Sequence, residues 1–171
     1  MRVMKLLVLM LLLSNGTSLA FGFEEALALW LHEVNAEIYA RGEPLSPELH
    51  QIAVELGIAR IDDIRVLVVD AVPVPTHRPT LYREGERRGL WGPGIAGNAQ
   101  VFGHGVAVTQ EVLDDKGKMA HELMHIRQIE RFGAVEDFVV EYLRQIAEYG
   151  YANAPLEVEA FEQNARYGSG K

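Results

Sequence analysis

Residues 116–132 read Lys-Gly-Lys-Met-Ala-His-Glu-Leu-Met-His-Ile-Arg-Gln-Ile-Glu-Arg-Phe. The pattern is helical from about Lys116 to Phe132. His121 and His125 are four apart, so on a helix both imidazoles share one face and can reach a common point. The segments around this helix set the fold class. Downstream, Val135 to Tyr149 predicts a second helix, with Phe138, Val139, Tyr142, Leu143 and Ile146 on one face. Pro155 suits the first turn of a last helix, from Leu156 to about Ala165, before a frayed tail. Upstream, Ala99 to Thr109 reads as one strand interrupted by glycine, or as a hairpin. Gly85 to Gly97 reads as a loop, and Pro73, Pro75 and Pro79 mark an extended or irregular stretch. The β-branched run Ile64 to Val69 predicts a strand. A short helix runs from Pro47 to Leu56, capped by Ser46 and closed by Gly57. Phe23 to Ala40 has the apolar spacing of an amphipathic helix that Gly42 and Pro44 end. Helices, a few strands, then helices define an α+β chain, mostly helical with a small sheet.

The chain has 171 residues and a net charge of −8, the length of one domain. A hydrophobic share of 49% is enough for a core. The acidic balance argues against a general nucleic-acid binder. With no cysteine, disulfide scaffolds, Cys-ligated zinc, iron–sulfur clusters and thiol catalysis are excluded. The first residues form a basic start (Arg2, Lys5), an apolar run from Leu6 to Leu13, and small residues at Ser18 and Ala20. That is the pattern of a signal peptide cleaved after Ala20. The expected division is residues 1–20 as signal peptide and 21–171 as one domain. It implies export to the periplasm or the exterior of a bacterium, with no stable membrane span after cleavage.

His121-Glu122-Leu123-Met124-His125 carries the chemistry. Two imidazoles on one face suit Zn²⁺, which takes three to four protein ligands and leaves a position for water in a catalytic site. Glu122 adjoins the first ligand and is placed to take a proton from that water as it attacks a carbonyl. No histidine follows His125, so the third ligand is expected to be a downstream carboxylate. Glu157 and Glu159, some thirty residues on, can return through a hairpin of helices. Being two apart, they point in different directions, so only one should ligate; Glu162 lies further into the helix. His104, between Gly103 and Gly105, either lines a substrate cleft beside an edge strand or is a strand-end histidine facing solvent. Tyr151 and Tyr149 are open to two readings as well, as an oxyanion donor or as packing. The Trp91-Gly-Pro-Gly94 loop is either a lid or an irregular connection.

Ala-His-Glu-Leu-Met-His-Ile-Arg-Gln, residues 120–128, resembles the metal-binding helix of small gluzincin-type zinc metallopeptidases. Among them is the domain of unknown function in the core of extracellular contractile injection systems. The strand Gln100–Val108 and the segment Pro155-Leu-Glu-Val-Glu-Ala160 are similar to that family's strand before the helix and its acidic segment after it. The resemblance spans about residues 98–163. It implies a minimal metallopeptidase fold, with the metal helix packed beside an edge strand and one Zn²⁺ held by His121, His125 and a glutamate. In the broader gluzincin class the third ligand opens a Glu-x-x-Ala-Asp motif. Aligning Ala160 puts Glu157 at the ligand position and Phe161 where the motif has its Asp. The expected activity is hydrolysis of a protein or peptide substrate, including a peptide cross-link of the cell wall, with Glu122 as general base. Two alternatives stand beside it: a zinc-containing but non-catalytic binding or structural protein of the cell envelope, and an interaction protein without metal.

Overall fold

The computed structural model describes residues 22–92 and 97–168; the expected signal peptide lies outside them. Among the described residues are seven α-helices and three strands. They are α1 (Phe23–Arg41), α2 (Pro47–Leu56), β1 (Arg65–Val68), α3 (Pro79–Arg87), β2 (Ala99–Val101), β3 (Gly105–Val108), α4 (Gln110–Leu113), α5 (Lys116–Phe132), α6 (Val135–Tyr149) and α7 (Pro155–Tyr167). Short 3₁₀ turns occupy Ile61–Asp63 and Tyr151–Asn153. The fold is the mostly helical α+β arrangement expected. No helix among the described residues is long and apolar enough to cross a membrane.

The sheet order is β1-β3-β2. β1 runs parallel to β3, with Arg65 opposite Gly105, and β2 runs antiparallel to β3, with Val101 opposite Val106. The 99–109 stretch is therefore a hairpin, turning at Phe102-Gly103-His104. Gly103 takes φ 118°, and a Cβ there would lie 3.1 Å from Asn35 Oδ1; only glycine adopts this conformation readily. Asn35 Oδ1 accepts from Gly105 N at 2.7 Å, tying the turn to α1.

Every residue of β3 is buried. Its alternating side chains divide the core in two, as period-2 geometry requires. Ala107 joins Trp30, Ile38, Leu81, Trp91 and Phe102 on the face covered by α1 and α3. Val106 and Val108 join Ile52, Ile64, Met119, Leu123 and Ile126 on the face covered by α2 and α5. Trp30 is the centre of the first cluster. Its ring meets Trp91 and Phe102 edge-on at 5.9 and 5.5 Å, separations favourable for aromatic pairs.

One expectation needs correcting, and one of the two open readings of the Trp91 loop loses support. Residues 79–87 form α3 rather than irregular chain, because Pro79 sits in the first helical turn, where its missing N–H costs nothing. Trp91 is not at the tip of a lid. It is buried in the core and donates from Nε1 to the Tyr82 carbonyl at 2.9 Å; positions 93 and 94 lie outside the described residues. Gly85, which reads as loop punctuation, lies within α3. A Cβ there would come within 2.0–2.6 Å of the Trp91 ring.

Candidate metal centre

α5 is delimited by its own sequence. Asp115 caps its start, accepting from Gly117 N and Lys118 N at 2.9 and 3.1 Å. Gly133 ends it at φ 85°. The helix packs against the edge strand β2, against α6 and most extensively against α7. Gly117 allows the close approach to α7: a Cβ there would stand 2.6–2.7 Å from Asn164 and Gly168. α7 starts at Pro155, and the unpaired N–H of Leu156 donates to Gln145 Oε1 at 2.8 Å. This arrangement brings Glu157, in the first turn of α7, to the face of α5 that carries both histidines.

Three ligand-type residues meet there. His121 Nε2 and His125 Nε2 are 3.1 Å apart. Glu157 Oε2 lies 3.3 Å from His121 Nε2, and Glu157 Oε1 lies 3.4 Å from His125 Nε2. Zn²⁺ bonds to nitrogen or carboxylate oxygen of about 2.0–2.1 Å place tetrahedral ligands about 3.3 Å apart, so each of these pairwise spacings is the size of a ligand pair, with the two histidines facing different oxygens of the one carboxylate. All three residues are buried, Glu157 to 1% exposure. Among the described residues, buried Glu157 Oε2 and His121 Nδ1 have no hydrogen-bond partner, a costly state for such groups and one a cation relieves directly at the carboxylate. The group can therefore hold a metal ion.

The electrostatics agree. Burial alone would raise the Glu157 carboxyl, but the neighbouring imidazoles of His121 and His125 and the Tyr142 hydrogen bond together hold it below its ordinary value. It stays an anion, as a ligand must. Burial pushes Glu122 up to about 7, with His125 opposing the rise and the Glu157 charge adding to it. Tyr142 donates to Glu157 Oε1 at 2.7 Å. Burial and the Glu157 charge push the phenol well above its usual range. Tyr151 is raised in the same way, by burial and then by Glu157. It is half exposed and meets Phe161 edge-on at 5.9 Å. Phe161 in turn packs on His121, ring centres 4.8 Å apart.

Of the sequence candidates, His121, Glu122, His125 and Glu157 come together, and Tyr151 lies at their edge. Glu159 does not join the ligand atoms. It makes two bonds to Arg131, at 2.6 and 2.7 Å, and accepts from Gln128 Nε2 at 2.9 Å. His104 is outside the group too. It is only slightly exposed, and its Nε2 lies 3.1 Å from Glu130 Oε1, in a groove shared with Asn35, Tyr39 and Arg60. Tyr142 and Gln128 were missed as site residues. Tyr142 reads as part of the apolar face of α6. The available signal for Gln128 was its place one turn beyond His125.

Glu130 organises the His104 side. Its carboxylate also accepts from Ala59 N and Arg60 N, at 2.7 and 2.9 Å. Burial raises its pKa, but these bonds and His104 outweigh it, leaving the value lowered. A lowered folded-state pKa stabilises the fold above the ordinary carboxylate range of about 4.3, and that contribution disappears as pH falls through the folded value. Glu130→Ala is expected to cost about 1–2 kcal/mol at pH 7 by removing charge-assisted bonds from Ala59 N and Arg60 N, which lie on exposed residues and can turn to water. Urea unfolding of both chains should show the gap shrinking as the solution is acidified below the ordinary carboxylate range.

No family model, curated protein or solved structure matches the chain, so function has to be read from the geometry itself.

Proposed function

We propose that the protein is an exported zinc-dependent metallopeptidase of gluzincin type. The observation that carries this is the buried cluster of His121, His125 and Glu157, with N···N and N···O spacings of 3.1–3.4 Å, and buried Glu122 beside it. Bound there, zinc would act as a Lewis acid and lower the pKa of water. Glu122 takes a proton from the attacking water and passes it to the leaving amine. Tyr142 orients the Glu157 carboxylate through its hydrogen bond. Tyr151, half exposed at the edge of the site, donates to the developing oxyanion. β2 is the terminal strand of the sheet, and an extended protein or peptide substrate adds along its free edge.

A second reading, a zinc staple between α5 and α7 in a non-catalytic envelope protein, is favoured by the near-complete burial of the three ligands. Chelation separates the two. For the peptidase, EDTA should abolish hydrolysis of an unfolded protein substrate and lower the melting temperature, and added Zn²⁺ should restore both. Saturation at a hundred times Kd contributes about 2.7 kcal/mol, a shift of about 10 °C. A melting shift with no hydrolysis at any stage would favour the staple. No shift would count against both.

A further inference from the structure

Gln128 is fully buried on α5, one turn beyond His125. Its amide orientation follows from its neighbours. One end faces the Leu156 carbonyl at 2.8 Å and Glu159 Oε2 at 2.9 Å. Both atoms only accept, so the amide nitrogen must stand there. The amide oxygen therefore lies on the other side, 2.8 Å from His125 Nδ1. It too only accepts, so the hydrogen must be on Nδ1. In the neutral form that a metal ligand takes, an imidazole has a single N–H, which leaves Nε2 with a bare lone pair. Nε2 is the atom that faces His121 and Glu157.

We propose that Gln128 is a positioning residue, and that the chain Arg131–Glu159–Gln128 fixes His125 in the one tautomer able to ligate a metal. The proposal rests on the metal-site reading and adds how the site is made ready. Arg131 holds the Glu159 carboxylate with two bonds. Glu159 and the Leu156 carbonyl fix the amide, and the amide fixes the imidazole. The same bonds join α5 to the residue next to Glu157, so the helix that carries the histidines is registered against the helix that carries the third ligand. His121 has no equivalent: its Nδ1 is buried without a partner. The site thus presents one imidazole preset by a side-chain partner on Nδ1 and one without such a partner. A Gln128 with only a packing role would leave the His125 tautomer indifferent.

The test is long-range ¹H–¹⁵N spectroscopy of the histidine side chains in the metal-free protein, with zinc affinity measured by chelator competition. In the wild type, His125 should carry its hydrogen on Nδ1. Gln128→Leu should release the tautomer and weaken zinc by about 10–100-fold, the usual effect of losing an outer partner of a metal-bound histidine. A wild-type spectrum with the hydrogen on Nε2 of His125 would overturn the proposal, and it requires no variant to fold. A folded Gln128→Leu chain with unchanged tautomer and zinc affinity would also overturn it. The expected tautomer in a wild type that takes up no zinc would refute the metal reading while upholding the relay.

Discussion

Glu122→Gln is expected to lower peptide hydrolysis by about 10²–10⁴-fold, the usual contribution of a positioned general base, while the protein still binds its metal. Glu122 adjoins His121 in sequence but is absent from the group of ligand atoms. Glutamine is nearly isosteric and cannot accept the proton of an attacking water. Burial pushes the carboxyl up to about 7, so removing its charge relieves a desolvation penalty. The variant should therefore be at least as stable as the parent at neutral pH. Hydrolysis rate, bound metal and melting temperature on the same preparation check all three points. Loss of metal together with rate would make Glu122 a ligand rather than a base.

Glu157→Ala should weaken zinc by about a hundred-fold or more. Structural zinc sites bind with apparent free energies of about 10–16 kcal/mol. Shared among their ligands, that is about 3 kcal/mol each, or roughly a hundred-fold in Kd. The substitution also strands the Tyr142 hydroxyl, which donates to Glu157 Oε1 at 2.7 Å. Glu159→Gln is the matched comparison. It keeps an oxygen for Gln128 Nε2 and gives up the Arg131 ion pair, which is partly exposed and so worth no more than about 1 kcal/mol. Competition with a chromophoric chelator should show stoichiometric zinc retained in Glu159→Gln and lost in Glu157→Ala. The reverse order would exchange the roles of the two glutamates.

These two carboxylates show how far the sequence could be read. Spacing limits the third ligand to one of them, because residues two apart on a helix diverge. That Glu157 faces the histidines depends on how closely α7 can approach α5. Gly117 permits that approach, and its reason lies on the other helix, at Asn164 and Gly168. α5, α6 and α1 were legible because their apolar periodicity and stops are local. α3 was not, since Pro79 and Gly85 look like breakers until the Trp91 ring is seen against Gly85. Tyr142 was hidden within an apolar stripe because its ring packs there while only its hydroxyl reaches Glu157. His104 reads either as a cleft residue or as a strand-end histidine facing solvent; in the structure it sits in the hairpin turn, only slightly exposed and against Glu130. Its partner Glu130 is 26 residues away in the chain, and no local pattern connects them.

Zinc content tests the central claim most directly. Elemental analysis of the purified protein, beside a His121→Ala/His125→Ala double variant, should find about one zinc per chain in the first and none in the second. A wild-type protein that holds no zinc, even after incubation with excess Zn²⁺, would contradict the account.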